Sequence, residues 1–134
     1  MANVFLSNVG ASTGLNAVGT QFNAGFIALF SGAQPATANT NTSASNTLVA
    51  EVAFSSVAGS AAASTWTANA LTATTAIANT TVVFFRATSS SRVAIIDGNV
   101  STVGADMNFN TNNFASGASV AVTSFVLIWP EGPS

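Results

Sequence analysis

The 134-residue chain carries only six charged side chains, two arginines and four carboxylates, and it contains neither His nor Cys. Without imidazole or thiol groups it cannot form Cys/His metal sites or Ser–His and Cys–His nucleophile pairs, and two arginines are too few to bind nucleic acid or an anionic membrane surface through charge. Because 49% of the residues are hydrophobic, we expect a folded single domain over residues 1–134. Because the functional groups named above are missing, we further expect that the protein uses no metal or cofactor and is not an enzyme.

The first predicted element is a short helix over residues 12–24. A hydroxyl residue that can cap the N terminus is followed by apolar residues at three- and four-residue spacing. These residues are Ser12 or Thr13, then Leu15, Val18 and Phe22. Gly25 stands where a left-handed residue often ends a helix and is predicted to stop it.

After Gly25 the pattern changes to short apolar or alternating runs separated by Gly, Ser, Asn and Pro, which is typical of strands. A stretch of Ala, Thr, Asn and Ser at 35–46 is predicted to be a surface loop. The predicted strands are 26–31, 47–55, 65–72, 80–88, 92–97 and 119–129. These elements predict an all-β fold, an antiparallel β-sandwich of jelly-roll type with one short N-terminal helix.

Three of these strands have large apolar residues at adjacent positions, which point to opposite faces of a sheet. The pairs are Phe84 with Phe85, Ile95 with Ile96, and Ile128 with Trp129. Something must therefore cover a second face. The cover is either the N-terminal helix, which makes these ordinary central strands, or a neighbouring subunit, for which Phe84, Phe85 and Trp129 are the candidate anchors.

The charged residues give little indication of chemistry. Arg86 and Arg92 flank the turn at 89–91 and are candidates for ion pairs with Asp97 or Glu51, or for contacts between subunits. Asp97 precedes a glycine and Asp106 follows Gly104-Ala105, and turns favour Asp at such positions. We therefore interpret both as turn residues and not as a catalytic carboxylate pair.

The net charge of the chain is also too low to keep copies of the protein apart by repulsion. A net charge of −2 gives little repulsion between molecules, and proteins near neutrality associate readily. This indicates a component of an assembly whose surface is partly covered by partners. Residues 1–6 lack the basic and apolar regions of a secretory signal, and no run reaches the roughly 18 apolar residues of a membrane-spanning helix.

Four short motifs follow one another along the chain: Phe30-Ser31-Gly32-Ala33-Gln34-Pro35, Phe85-Arg86-Ala87, Asp97-Gly98-Asn99-Val100 and Gly104-Ala105-Asp106-Met107. In this order they resemble the motifs of a family of small virion proteins of tailed bacteriophages. The resemblance implies a capsid decoration or cement protein on the outer surface of the phage head. It further implies a homotrimer as oligomer, the major capsid protein as partner, and no catalytic residues.

Two other functions stay open at this point. The first is a tail, baseplate or fibre-associated virion protein, including one that binds glycans. The second is a carbohydrate-active or lectin-like domain, in which Trp66 and Trp129 would form a sugar-binding platform. Large aromatic residues in a sandwich are more often core or interface residues, which favours the structural interpretation of both tryptophans.

Overall fold

The computed structural model describes residues 7–109 and 111–128. They form one helix and twelve short strands, so the prediction of an all-β fold with one short helix is confirmed. The elements are α1 (Asn8–Thr20), β1 (Phe26–Phe30), β2 (Leu48–Ala53), β3 (Gly59–Ala62), β4 (Thr65–Ala68), β5 (Thr74–Thr75), β6 (Thr80–Thr81), β7 (Phe84–Thr88), β8 (Ala94–Ser101), β9 (Met107–Asn108), β10 (Asn113–Phe114), β11 (Ser119–Val120) and β12 (Val126–Ile128). Within this part of the chain, no helix has both the length and the apolar character needed to cross a bilayer.

The helix begins at Asn8, four residues earlier than predicted. Its N-terminal cap is Ser7, whose Oγ accepts a hydrogen bond from the Gly10 N–H at 3.1 Å. Ser12 lies inside the helix, where its hydroxyl donates to the Val9 carbonyl instead. The left-handed residue after the helix is Ala24, with φ 55°, and not Gly25. Apolar spacing located the helix, but several hydroxyl residues lie near its start and the spacing does not select among them.

The strands form one five-stranded sheet and three small sheets. The large sheet has the order β2-β1-β7-β8-β9, and the second sheet has the order β12-β4-β3. The pairs β5–β11 and β6–β10 make up the remainder. All pairs are antiparallel except β8–β9, where Val100 and Ser101 run parallel to Met107 and Asn108.

Aromatic side chains fill the core between the large sheet and the β12-β4-β3 sheet. Phe125 makes edge contacts with Trp66, Phe54 and Phe85 at centroid distances of 6.3, 5.8 and 5.7 Å. Helix α1 closes one side by packing mainly on β3 and β4. Gly19 lies directly against the Trp66 indole, which leaves no room there for a side chain.

Candidate interaction site

One face of the large sheet carries a row of four residues across four strands, and three of the four are charged. The register places Ala28 of β1 opposite Glu51 of β2 and opposite Arg86 of β7, and Arg86 opposite Asp97 of β8. Residues directly opposite each other share a face, so all four side chains leave the same side. Because Ala28 is small, it leaves a shallow pocket of about 260 Å³ in the middle of this row.

Arg86 and Asp97 form a buried, bidentate ion pair. The Arg86 Nε and Nη2 donate to the two Asp97 oxygens at 2.7 and 2.8 Å, and the two side chains are only 9% and 5% exposed. The Asp97 carboxylate hydrogen-bonds to the guanidinium and raises the pKa of Arg86, which therefore stays charged. Arg86 Nη2 also donates to the Thr40 carbonyl at 2.7 Å.

This contact holds segment 35–46, which contains neither helix nor strand, over the charged face of the sheet. Thr40 is bound to Arg86, and Asn41 and Thr42 lie beside Phe30 at the shallow pocket. At its end, the Asn46 amide donates to the carbonyls of Ser31 and Ala33. The second face of the sheet is therefore covered in part by the chain's own loop.

Arg92 forms a second, exposed ion pair. Its Nε and Nη2 donate to the Glu51 carboxylate at 3.1 and 3.0 Å, and the guanidinium lies 4.3 Å from the centre of the Phe26 ring. The hydrogen bond to Glu51 raises the pKa of Arg92. The side chain remains 59% exposed, so Arg92 is accessible to a partner, whereas Arg86 is not.

Two of the three predicted aromatic anchors, Phe84 and Phe85, do not lie at the surface. Phe84 is 0% and Phe85 is 4% exposed, because Phe84 stacks on Phe30 and Phe85 packs against Phe125. Both are buried core residues, so neither is exposed for contact with another subunit. At Phe84 and Phe85 the pattern of adjacent apolar residues correctly indicated two covered faces, whereas Ile128 is 72% exposed and its face of β12 is not covered by the described residues. Helix α1 does not provide the second cover of the large sheet, because it packs mainly on β3 and β4. Trp129 lies outside the described residues, and Trp66 is a core residue, 1% exposed.

Exposed apolar residues are found instead on β12, at the edge of the second sheet. Val126 is 43% and Ile128 is 72% exposed, while Leu127 between them packs against the core. Residues 125–129 form an unbroken apolar run, so the sequence does not show which of them face the core. It also does not show that, within the described residues, β12 is paired on one side only, with β4.

A cleft of about 560 Å³ lies between the β8–β9 region and residues 121–128. Apolar residues from both sides line it, among them Ile96, Met107, Phe109, Val122 and Leu127. Gly98 and Phe85 form part of its floor, and the Phe85 ring occupies the space where a side chain on Gly98 would lie. The turns recognised in the sequence did not predict this cleft.

Asp97 and Asp106 both border the cleft, but they do not form a pair of facing carboxylates. Asp97 directs its side chain to the face that carries Arg86, whereas Asp106 lies against Gly98, whose Cβ position points to the opposite face. Both Asp97 oxygens are bound to Arg86, and the Asp106 carboxylate accepts from the Asn99 N–H at 3.1 Å. Asp97 is therefore not free to act as an acid or base together with Asp106.

No cluster of three His, Cys, Asp or Glu side chains that could hold a metal ion occurs among residues 7–109 and 111–128. Comparison of the chain with protein-family models, with curated proteins and with solved structures gave no match.

Proposed function

We propose that this chain is a structural virion protein of a tailed bacteriophage, a decoration or cement protein that binds the outer surface of the head. It stabilises the shell through contacts with the major capsid protein and with sister copies, and it performs no reaction. The motif series at 30–35, 85–87, 97–100 and 104–107 supports this assignment as a resemblance.

The observation that carries the proposal is a surface almost without free charge. Of the five charged side chains in the described residues, four are bound to each other as the pairs Arg86–Asp97 and Arg92–Glu51. Among these five side chains, only the Asp106 carboxylate lies outside an ion pair. The same surface exposes eight large apolar side chains, Val9, Val57, Ile77, Val83, Val93, Val103, Val126 and Ile128. A surface with so little charge does not repel further copies and suits a protein that is held in an assembly.

Within this proposal, contact with the shell and with sister copies involves different parts of the molecule. Edge strand β12 offers Val126 and Ile128 together, and the exposed guanidinium of Arg92 is available for a polar contact. Loop 35–46 offers hydroxyl and amide groups. Many copies, each bound weakly, can stabilise a shell strongly because the contacts act together.

The finer architecture belongs to the proposal as well. A jelly-roll-like sandwich would have the large sheet and the β12-β4-β3 sheet as its two layers, with the aromatic core between them. A homotrimer is the proposed oligomer. Light scattering at micromolar concentration should give three times the monomer mass of 13.3 kDa, and a stable monomer would count against it.

The direct test is a cryo-EM reconstruction of the virion that encodes this chain. We expect density that fits residues 7–128 on the outside of the head, between capsomers. Heads prepared without the protein should release their DNA at a lower temperature than complete heads. Density in the tail or baseplate would replace the proposal with the tail-associated function, and the absence of the chain from the particle would refute both.

A further inference from the structure

We infer that the 560 Å³ cleft is a receptor for an added β-strand, an extended peptide segment from another protein that lies between β8 and β12. The inference rests on the proposed function in one respect only: the segment is assigned to the shell protein. Strand addition at an open sheet edge draws its affinity from main-chain hydrogen bonds and its specificity from alternate side-chain pockets.

The first observation is the direction of the backbone groups of β8. The Val100 N–H donates to the Val83 carbonyl, so residues 100, 98 and 96 direct their N–H and C=O groups towards β7. Asp97 and Asn99 then direct theirs away from β7. The Asn99 N–H is bound by Asp106, whereas the N–H and C=O groups of Asp97 have no partner within the described residues.

The exposure of Asp97 agrees with this geometry. The residue as a whole is half-buried, yet its side chain is only 5% exposed. The accessible part of Asp97 is therefore its backbone, which explains why Asp97 borders the cleft although its carboxylate lies on the other face with Arg86.

The second observation is the matching edge of β12. The Ala68 N–H donates to the Phe125 carbonyl, and Leu127 lies opposite Trp66, so residues 125 and 127 are the ones bound to β4. The N–H and C=O groups of Val126 point away from β4 and have no partner within residues 7–109 and 111–128. Two strand edges whose outward backbone groups are unpaired within the described residues thus border one cleft.

The lining determines the chemistry of the segment. Side chains on one face of an added strand meet Ile96, Phe109 and Leu127, which requires apolar residues at alternate positions. Asp106 lies at the border with a carboxylate that no cation binds in the described part of the chain, so a Lys or Arg in the segment fits opposite it. The chain itself has only two cations, Arg86 and Arg92, and both are engaged in ion pairs. A second copy is therefore the poorer occupant.

The test uses the full chain and a library of random ten-residue peptides. We expect the enriched peptides to alternate apolar residues and to carry a Lys or Arg. The best peptide should slow hydrogen exchange of the Asp97 and Val126 amides, measured by NMR, and a peptide with Glu in place of its cation should bind at least threefold more weakly.

Variants of the edge separate strand addition from simple apolar contact. Val126→Pro removes the outward N–H without removing a bond to β4, and it should weaken the peptide at least tenfold. Val126→Thr retains the N–H and should change binding less than threefold. Asp106→Asn should weaken it two- to fivefold. Unchanged exchange protection of the Trp66 amide shows that each variant is folded.

Several results would overturn the inference: no enriched peptide, equal binding to Val126→Pro, or protection at amides away from the cleft. Protection of the same amides at high protein concentration without peptide would identify a second copy as the occupant and would also overturn it. The reconstruction of the virion separates the two proposals. A head location with an empty cleft refutes only the strand addition. Peptide binding with a tail location refutes the proposed function and the assignment of the segment to the shell protein, but not the strand addition itself.

Discussion

Arg86→Met removes the cation from the buried ion pair beneath loop 35–46. The Asp97 side chain, 5% exposed, then loses both hydrogen bonds of its bidentate partner, and the Thr40 carbonyl loses its donor. Breaking a buried pair by removing one partner costs roughly 3–5 kcal/mol in proteins. Because the Arg86 side chain retains 9% exposure and water can partly replace it, we expect about 3 kcal/mol.

Urea unfolding followed by circular dichroism measures this cost. With a denaturant dependence of about 1–3 kcal/mol per molar urea, the midpoint should fall by about 1–3 M. Arg92→Met is the matched control, since it removes the same group from an exposed pair, and its midpoint should move much less. The double variant Arg86→Met/Asp97→Leu leaves no unpaired charge and should recover most of the stability. A shift no larger than that of Arg92→Met, or a double variant no more stable than the single one, would refute the argument.

Two further substitutions test local geometry in the same unfolding assay. Gly98→Ala places a methyl group where the Phe85 ring lies, and overpacking of this kind lowers the free energy of unfolding by roughly 1–3 kcal/mol. In a Phe85→Leu background this loss should largely disappear. An equal loss in that background would contradict the contact. Ala63→Gly relieves a left-handed residue with φ 52° between β3 and β4, so the free energy of unfolding should rise by about 0.5–1 kcal/mol. Ala62→Gly, next to it in a strand, should lower that free energy by about 0.5–1 kcal/mol, and equal signs for the two variants would contradict the turn geometry.

Adjacent apolar residues in β7 show what the sequence predicts about the large sheet and what it leaves open. Because neighbours in a strand point to opposite faces, Phe84 and Phe85 required two covered faces, and both faces are covered. The sequence did not show which segment covers the second face. Loop 35–46, composed of Ala, Thr, Asn and Ser, has no apolar pattern that predicts packing, and it is held by a hydrogen bond from Arg86 to a backbone carbonyl. Backbone acceptors are the same for every residue type, so the sequence does not reveal such a contact.

The pairing of the strands is a second feature that the sequence did not predict. The alternation in 47–55 and 65–72 predicted strands, and β2 and β4 lie there. The predicted strand 119–129 is divided into β11 and β12, which pair with β5 and β4 in different sheets. This division leaves residues 121–125 without regular structure beside the open edge of β8, and it creates the cleft. Periodicity within one segment carries no information about which partner a strand finds.

The placement of the few charges links the fold to the proposed function. Arg86 ties β7 to a loop 46 residues away in sequence, and Arg92 ties its turn to Glu51, 41 residues away. These cations stabilise the chain internally, and among the described residues only Asp106 carries a charge that is not paired. So little unpaired charge cannot steer a partner by long-range attraction, so association should proceed at the roughly 10⁵–10⁶ M⁻¹s⁻¹ typical of unsteered proteins. Under the proposed function, stable binding to a shell then depends on slow dissociation. The proposed main-chain hydrogen bonds at the strand edge and the combined contacts of many copies can both provide it.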